Sequence, residues 1–207
     1  MKKSILFAAF AALLTLASVN VTYAQSKQDL KLAKSRAKEL TKEGWKPETS
    51  EETTYALAIM YSKKHNGDYQ EYVSDGVSSK SLNAAKAKAR NNAINEYVEY
   101  SKSIVKARIA SELNDVAGEE QENYIGAYER LIVKELQDGI FHAPNVVLYK
   151  GSYEARLYYL IDNNAAEKAV RNAMKQAAEE SGLAHNHAEG ISGFINSGLE
   201  SLKDFAK

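Results

Sequence analysis

The densest group of metal-competent side chains in this sequence is His185-Asn186-His187, followed by Glu189. On an extended backbone, residues two apart project to the same side, so both imidazoles could face one ion. A stable site takes three or four ligands oriented by further hydrogen bonds, and no third ligand with such support stands nearby. His185 and His187 therefore read as solvated residues after Gly182, and no metal is assigned. His65 and His142 stand apart in loop-like settings, neither beside a nucleophile at a recognised spacing. Gly190-Ile191-Ser192-Gly193 falls one residue short of the Gly-x-Ser-x-Gly elbow and follows no strand. The chain has no cysteine, which excludes thiol catalysis. No glycine-rich phosphate loop is present, so no nucleotide site is assigned. The acid pairs Glu51-Glu52, Glu119-Glu120 and Glu179-Glu180 have the residue type of a glycosidase dyad, but neighbouring acids at helix ends normally face water. No catalytic residue and no cofactor follow from these patterns.

The elements that would position any site begin after a distinct leader. Lys2 and Lys3 precede an apolar run from Ile5 to Ala17, and small residues stand at both specifying positions of Thr22-Tyr23-Ala24. This reads as a secretory signal peptide, residues 1–24, cut to leave Gln25 first. Ser18, Asn20 and Thr22 interrupt the run before it reaches the roughly 20 apolar residues of a membrane span. Membrane association is expected to be at most peripheral. The remaining 183 residues carry 25 basic and 27 acidic groups, a near-neutral balance that gives no reason to expect nucleic-acid binding. Without cysteine there is neither a lipid attachment point nor a disulfide, so stability must come from packing.

Periodicity predicts a single domain over residues 25–182. Leu30, Ala33, Ala37 and Leu40 mark a helix over 28–43, with Gly44 as its C′ residue and Trp45 and Pro47 as a stop. Residues 53–62 are ambiguous. Tyr55, Leu57, Ile59 and Tyr61 alternate like a strand, whereas Thr49 with Glu52 forms a capping box and favours a helix. Tyr69, Val73 and Val77 predict a strand over 69–79 with that face buried. Ser81 caps a long helix with two apolar stripes. The alanine-rich row through Ala85, Ala89 and Ala93 suits a close approach to the sheet, and the row of Ala87, Ile94, Val98, Val105 and Ile109 suits a second helix. That second helix carries Tyr124, Tyr128, Ile132 and Leu136 and stops at Gly139. Two antiparallel strands follow around Lys150-Gly151-Ser152, and a final helix capped by Asp162 or Asn163 turns Ala166, Ala169, Val170, Ala173, Met174, Ala177 and Ala178 inward. The fold class is α+β, with an antiparallel sheet of about three strands, or four, covered on one face by long alanine-rich helices.

Gly44-Trp45-Lys46 after a basic helix, Asn66-Gly67 before a tyrosine-rich strand, Gly76, the run from Asn83 to Arg90, and a closing Tyr-rich strand before an alanine-rich helix together resemble the LPP-twenty type of bacterial envelope proteins. The resemblance covers roughly residues 30 to 180. It implies a small exported α+β domain of the Gram-negative envelope, periplasmic or secreted, without an established enzymatic role and with no catalytic residues to carry over. The lipoprotein members attach through a cysteine that this chain lacks.

Thirteen tyrosines are the one compositional excess. Most sit at inward positions, but Tyr72 and Tyr158 are expected on the sheet face away from the core, where rings can receive a partner. In the C-terminal tail, residues 183–207, the side chains Ile191, Phe194, Ile195, Leu199, Leu202 and Phe205 share one arc of an amphipathic helix interrupted by Gly190, Gly193 and Gly198. Such a segment needs a surface to fold against, either its own domain or a partner. The expected function is a non-enzymatic structural or protein-interaction module of the envelope, with an envelope protein or a second copy as partner. The alternative is an exported hydrolase whose residues assemble only in the fold.

Overall fold

Helix α1, residues 27–42, ends where Gly44 takes φ 91°, a left-handed conformation open to glycine without steric cost. This computed structural model describes residues 27–48, 53–65, 67–113, 116–186, 190 and 193–195. The expected leader, the Thr49 and Glu52 capping box, His187, Glu189, Ile191, Leu199, Leu202 and Phe205 lie outside the described residues. Strand β1 (Trp45–Pro47) follows α1 directly, so the stop signal Trp45-Lys46-Pro47 is itself a short strand. The ambiguous segment is helix α2 (Thr53–Lys64), which buries Leu57 and Met60. Next come β2 (Tyr69–Val77), the long helix α3 (Leu82–Glu112) and α4 (Gly118–Glu135). A π-helical turn (Leu136–Ile140) continues α4 through Gly139 and closes with Phe141 N–H donating to the Leu136 carbonyl at 2.8 Å. The chain then forms β3 (Val146–Lys150), β4 (Glu154–Asp162), α5 (Asn163–Glu180) and the short α6 (Leu183–Asn186).

The four strands form one antiparallel sheet in the order β1-β3-β4-β2. Tyr72 pairs with Tyr159 and Val146 with Tyr158, which places Tyr159 and Tyr158 on opposite faces. The α+β class is as expected, but both faces of the sheet are covered. On one face α3, α4 and α5 enclose the main core, with Phe141 at its centre. The Phe141 ring meets Tyr159 edge-on at 4.9 Å, Tyr72 at 5.8 Å and Tyr97 at 6.0 Å. On the other face α1 and α2 close a second cluster of Ala33, Leu40, Trp45, Leu57, Leu148 and Tyr158.

The two stripes of α3 find the partners their side chains suit. Ser81 caps the helix by accepting from Ala84 N–H at 3.1 Å. Ala85, Ala89 and Ala93 are fully buried, and β2 runs so close to them that a Cβ on Gly76 would sit 2.2 Å from the Ala85 carbonyl oxygen. Ile94, Val98, Val105 and Ile109 join Tyr124, Tyr128 and Ile132 of α4 in the main core, whereas Ala87, expected in the same row, lies exposed about two turns before Ile94. All seven residues predicted to turn inward on α5 are buried, and the Asp162 side chain caps that helix through Asn164 and Ala165 N–H.

Candidate functional site

Strand β2 is an edge of the sheet, and its hydrogen-bonding parity is fixed by the pairs at its ends. Asn163 N–H donates to the Asp68 carbonyl and Ser78 N–H to the Tyr153 carbonyl, so residues 70, 72, 74 and 76 exchange hydrogen bonds with β4. The N–H and C=O groups of Tyr69, Glu71, Val73, Asp75 and Val77 therefore point away from the sheet. Among the described residues only the Asp75 carbonyl is met there, by the Asn92 side-chain amide at 2.9 Å. The opposite edge differs. Strand β1 spans three residues, and Pro47 brings no N–H to its free side.

The faces of β2 are the reverse of the sequence expectation. Tyr69, Val73 and Val77 were expected to face the core, yet Tyr72, Ser74 and Gly76 face it instead. Polarity misleads here because the buried groups are satisfied or absent. The Ser74 hydroxyl donates to the Ala89 carbonyl at 2.8 Å, and Gly76 has no side chain to place. Val73 and Val77 are left 39% and 57% exposed, and Tyr153 in the neighbouring turn is 50% exposed.

The charges on the strand are engaged. Glu71 is held by Lys64 of α2 at 2.9 Å. Arg156 of β4 grips Asp75 through two bonds of 2.7 and 2.6 Å, lies 4.5 Å from the Trp45 ring centroid, and has Glu43 at 3.8 Å. Asp75 raises the pKa of Arg156 further above its ordinary value. Beneath them burial pushes the Tyr61 hydroxyl up to about 12, with Glu71 adding to the effect.

The sequence-predicted interaction residues fall elsewhere. Tyr72 and Tyr158 are both buried rather than displayed. Tyr72 faces α3, where its hydroxyl donates to Glu96, and Tyr158 lies on the opposite face under α1 and α2. Phe194 is also buried, in the main core. Its ring stacks edge-on to Tyr124 and lies 4.7 Å from the Arg108 guanidinium, and its carbonyl accepts from Arg108 at 2.7 Å. Half-buried Ile195 accepts from Arg171 through its carbonyl at 2.9 Å. The described part of the tail thus docks on its own domain, which removes Phe194 as a surface anchor.

Two further features bear on chemistry. His65 Nε2 lies 2.5 Å from Oδ1 of the buried Asp29, a pairing across 36 positions that the sequence did not reveal; no hydroxyl of a described residue is bonded to that imidazole. A cleft of about 540 Å³ opens between the π-helical turn, the end of β4 and α5, lined by Glu135, Ile140, Leu160, Asp162 and Lys168 among others. Asp162 is already bonded to two backbone N–H groups there, so it is a helix cap before it is an acid. Among the described residues no group of three or more metal-competent side chains converges, and no helix is long and apolar enough to cross a membrane.

Compared with known proteins, the chain matches no family model, no curated protein and no solved structure.

Proposed function

We propose that the protein is an exported, non-enzymatic interaction module of the bacterial envelope whose working surface is the outer edge of β2, which no described strand pairs. The observation that carries this reading is the alternation along that strand. Over nine residues, every second backbone unit faces outward beside exposed valines, and one described side chain, Asn92, meets a single carbonyl. Unpaired edges of this length template further strand pairing, and proteins with no use for them blunt them as β1 is blunted here. The Lys2-Lys3 leader with its apolar run supports export, and the resemblance to LPP-twenty type proteins supports the envelope as the place of action.

The test is site-specific photo-crosslinking in cells that make the protein naturally. A photoreactive residue at Val77 is expected to capture a partner, and one at exposed Lys175 on α5 is not. Equal adduct patterns at both positions, or none at either, would sink the reading. N-terminal sequencing of the mature protein should begin at Gln25, and a retained Met1 would remove the export element.

A further inference from the structure

We infer that the β2 edge takes one extended, antiparallel segment of a partner polypeptide, with basic residues opposite Glu71 and Asp75 and β-branched residues opposite Val73 and Val77; this deepens the interaction role just proposed and rests on it. The direction follows from the sheet, which is antiparallel at every pairing. The outward groups of residues 69, 71, 73, 75 and 77 define which partner residues are hydrogen-bonded, because only residues directly opposite them exchange both N–H···O bonds.

A second copy of this chain does not fit the edge. Antiparallel pairing of β2 with its own copy proceeds about a two-fold axis normal to the sheet, so both α3 helices would lie on the same side. Neighbouring strands stand about 4.7–4.9 Å apart, whereas packed helices need about 8–10 Å between axes. Helix α3 sits directly over β2, its Ala85 oxygen 2.2 Å from where a Gly76 Cβ would be and its Asn92 reaching the edge carbonyl of Asp75. Two such helices would overlap. The occupant must therefore arrive without a helical layer of its own, as a single strand.

Charge selects its side chains. Strand β2 carries Glu71 and Asp75 and no basic residue, and Asp68 precedes it. Lys64 and Arg156 already hold these carboxylates, and the Asp75 side chain remains 50% exposed, that of Glu71 19%. A lysine or arginine opposite Asp75 adds a second cation on its exposed half, and one opposite Glu71 reaches only the exposed fifth of that side chain, so Asp75 carries more of the charge selection. Opposite Val73 and Val77 the same strand presents apolar residues, which gives the spacing apolar-x-basic-x-apolar-x-basic read from its N-terminus.

The probe is the peptide acetyl-Val-Thr-Lys-Thr-Val-Thr-Lys-amide, titrated into the purified full chain with amide exchange followed residue by residue. In the free protein the amides of Glu71, Val73 and Val77 should exchange quickly and those of Tyr72, Ser74 and Gly76 slowly. On binding, the fast set should become protected at least about tenfold, the gain that a new ladder confers. Glutamate in place of both lysines should weaken binding about tenfold, since each cross-strand charge pair changes sign. N-methylation of the central valine and its neighbouring lysine should abolish binding, and N-methylation at the threonines should not. No binding up to about 1 mM, binding that leaves the fast amides unprotected, or protection of those amides by self-association without peptide would each overturn the inference. If the Val77 crosslink forms in cells while the peptide fails, the partner chemistry falls and the interaction role stands. If neither occurs, both fall.

Discussion

Replacing Gly76 by alanine probes the contact on which the β2 edge depends. The added methyl would lie 2.2 Å from the Ala85 carbonyl oxygen, 2.4 Å from Ala89 N and 2.9 Å from Ala89 Cα, all backbone atoms of a helix that cannot rotate away. Restoring ordinary contact requires β2 and α3 to separate by about 1 Å, and packed interiors resist such shifts at about 1–3 kcal/mol. The same displacement stretches the buried Ser74 hydroxyl bond to the Ala89 carbonyl, now 2.8 Å, adding about 1 kcal/mol. A total of about 2–4 kcal/mol at about 2–4 °C per kcal/mol lowers Tm by about 10 °C for a domain of this size. Thermal unfolding followed by circular dichroism measures it, with Gly126→Ala as the control of opposite sign. Gly126 lies exposed within α4 with nothing near its missing Cβ, so alanine there should add about 1 kcal/mol of helix propensity. If Gly76→Ala melts within about 2 °C of the parent, α3 does not lie over β2 as described and the steric argument against self-pairing fails with it.

Ala89→Leu should cost about 1–3 kcal/mol because Ala89 is fully buried against β2, whereas Ala87→Leu points to solvent and should change Tm little; equal melting temperatures would refute the two-stripe packing of α3. Phe194→Ala empties a core position between Arg108 and Tyr124 and should destabilise the domain by about 3 kcal/mol in denaturant titration, a loss that a freely tethered tail would not produce. Lys86, and after it Tyr149, hold the pKa of Glu48 below its ordinary 4.5 by hydrogen bonding. A lowered folded-state pKa contributes stability above the unfolded value that is lost as pH falls through the folded one. The Tm difference between parent and Glu48→Gln should therefore shrink between about pH 6 and pH 3, and a constant difference would contradict the assignment.

The sequence was legible wherever one local rule acted alone. Ser81 and Asp162 are caps, Gly44 and Gly182 take positive φ, and the inward row of α5 follows from a 3.6-residue period with little competition. Segment 53–62 was ambiguous from pattern, with the Thr49 and Glu52 pair favouring the helix it forms, because Tyr55 and Ile59, which made it look like a strand, are exposed on the helix. Strand β1 escaped notice because three residues carry no period, and its Pro47 suits a sheet edge as well as a helix stop. The candidate site was the least legible. The faces of β2 were inverted because burial there is decided by the close approach of α3 to Gly76, a tertiary demand that outranks the hydrophobicity of Val73 and Val77. Tyr158 does lie on the sheet face away from the main core, as expected, but it is buried there rather than displayed. Nothing in α1 or α2 announces that they cover the second face of the sheet.

The strand order has a consequence for the timing of synthesis. The two central strands, β3 and β4, are a hairpin made late in the chain, and the outer strands are made early. The Glu48 to Tyr149 bond beside β1 spans 101 positions, and the Asp75 to Arg156 pair between β2 and β4 spans 81. Sheets built on such distant pairings cannot begin to close before their last members exist, because loop closure precedes any reward. A ribosome adding about 5–20 residues per second therefore leaves the early strands unpartnered for many seconds. Under the export proposed above that delay is useful: a nascent chain that stays threadable until its final third emerges postpones the knot of contacts that would jam passage through a translocation channel.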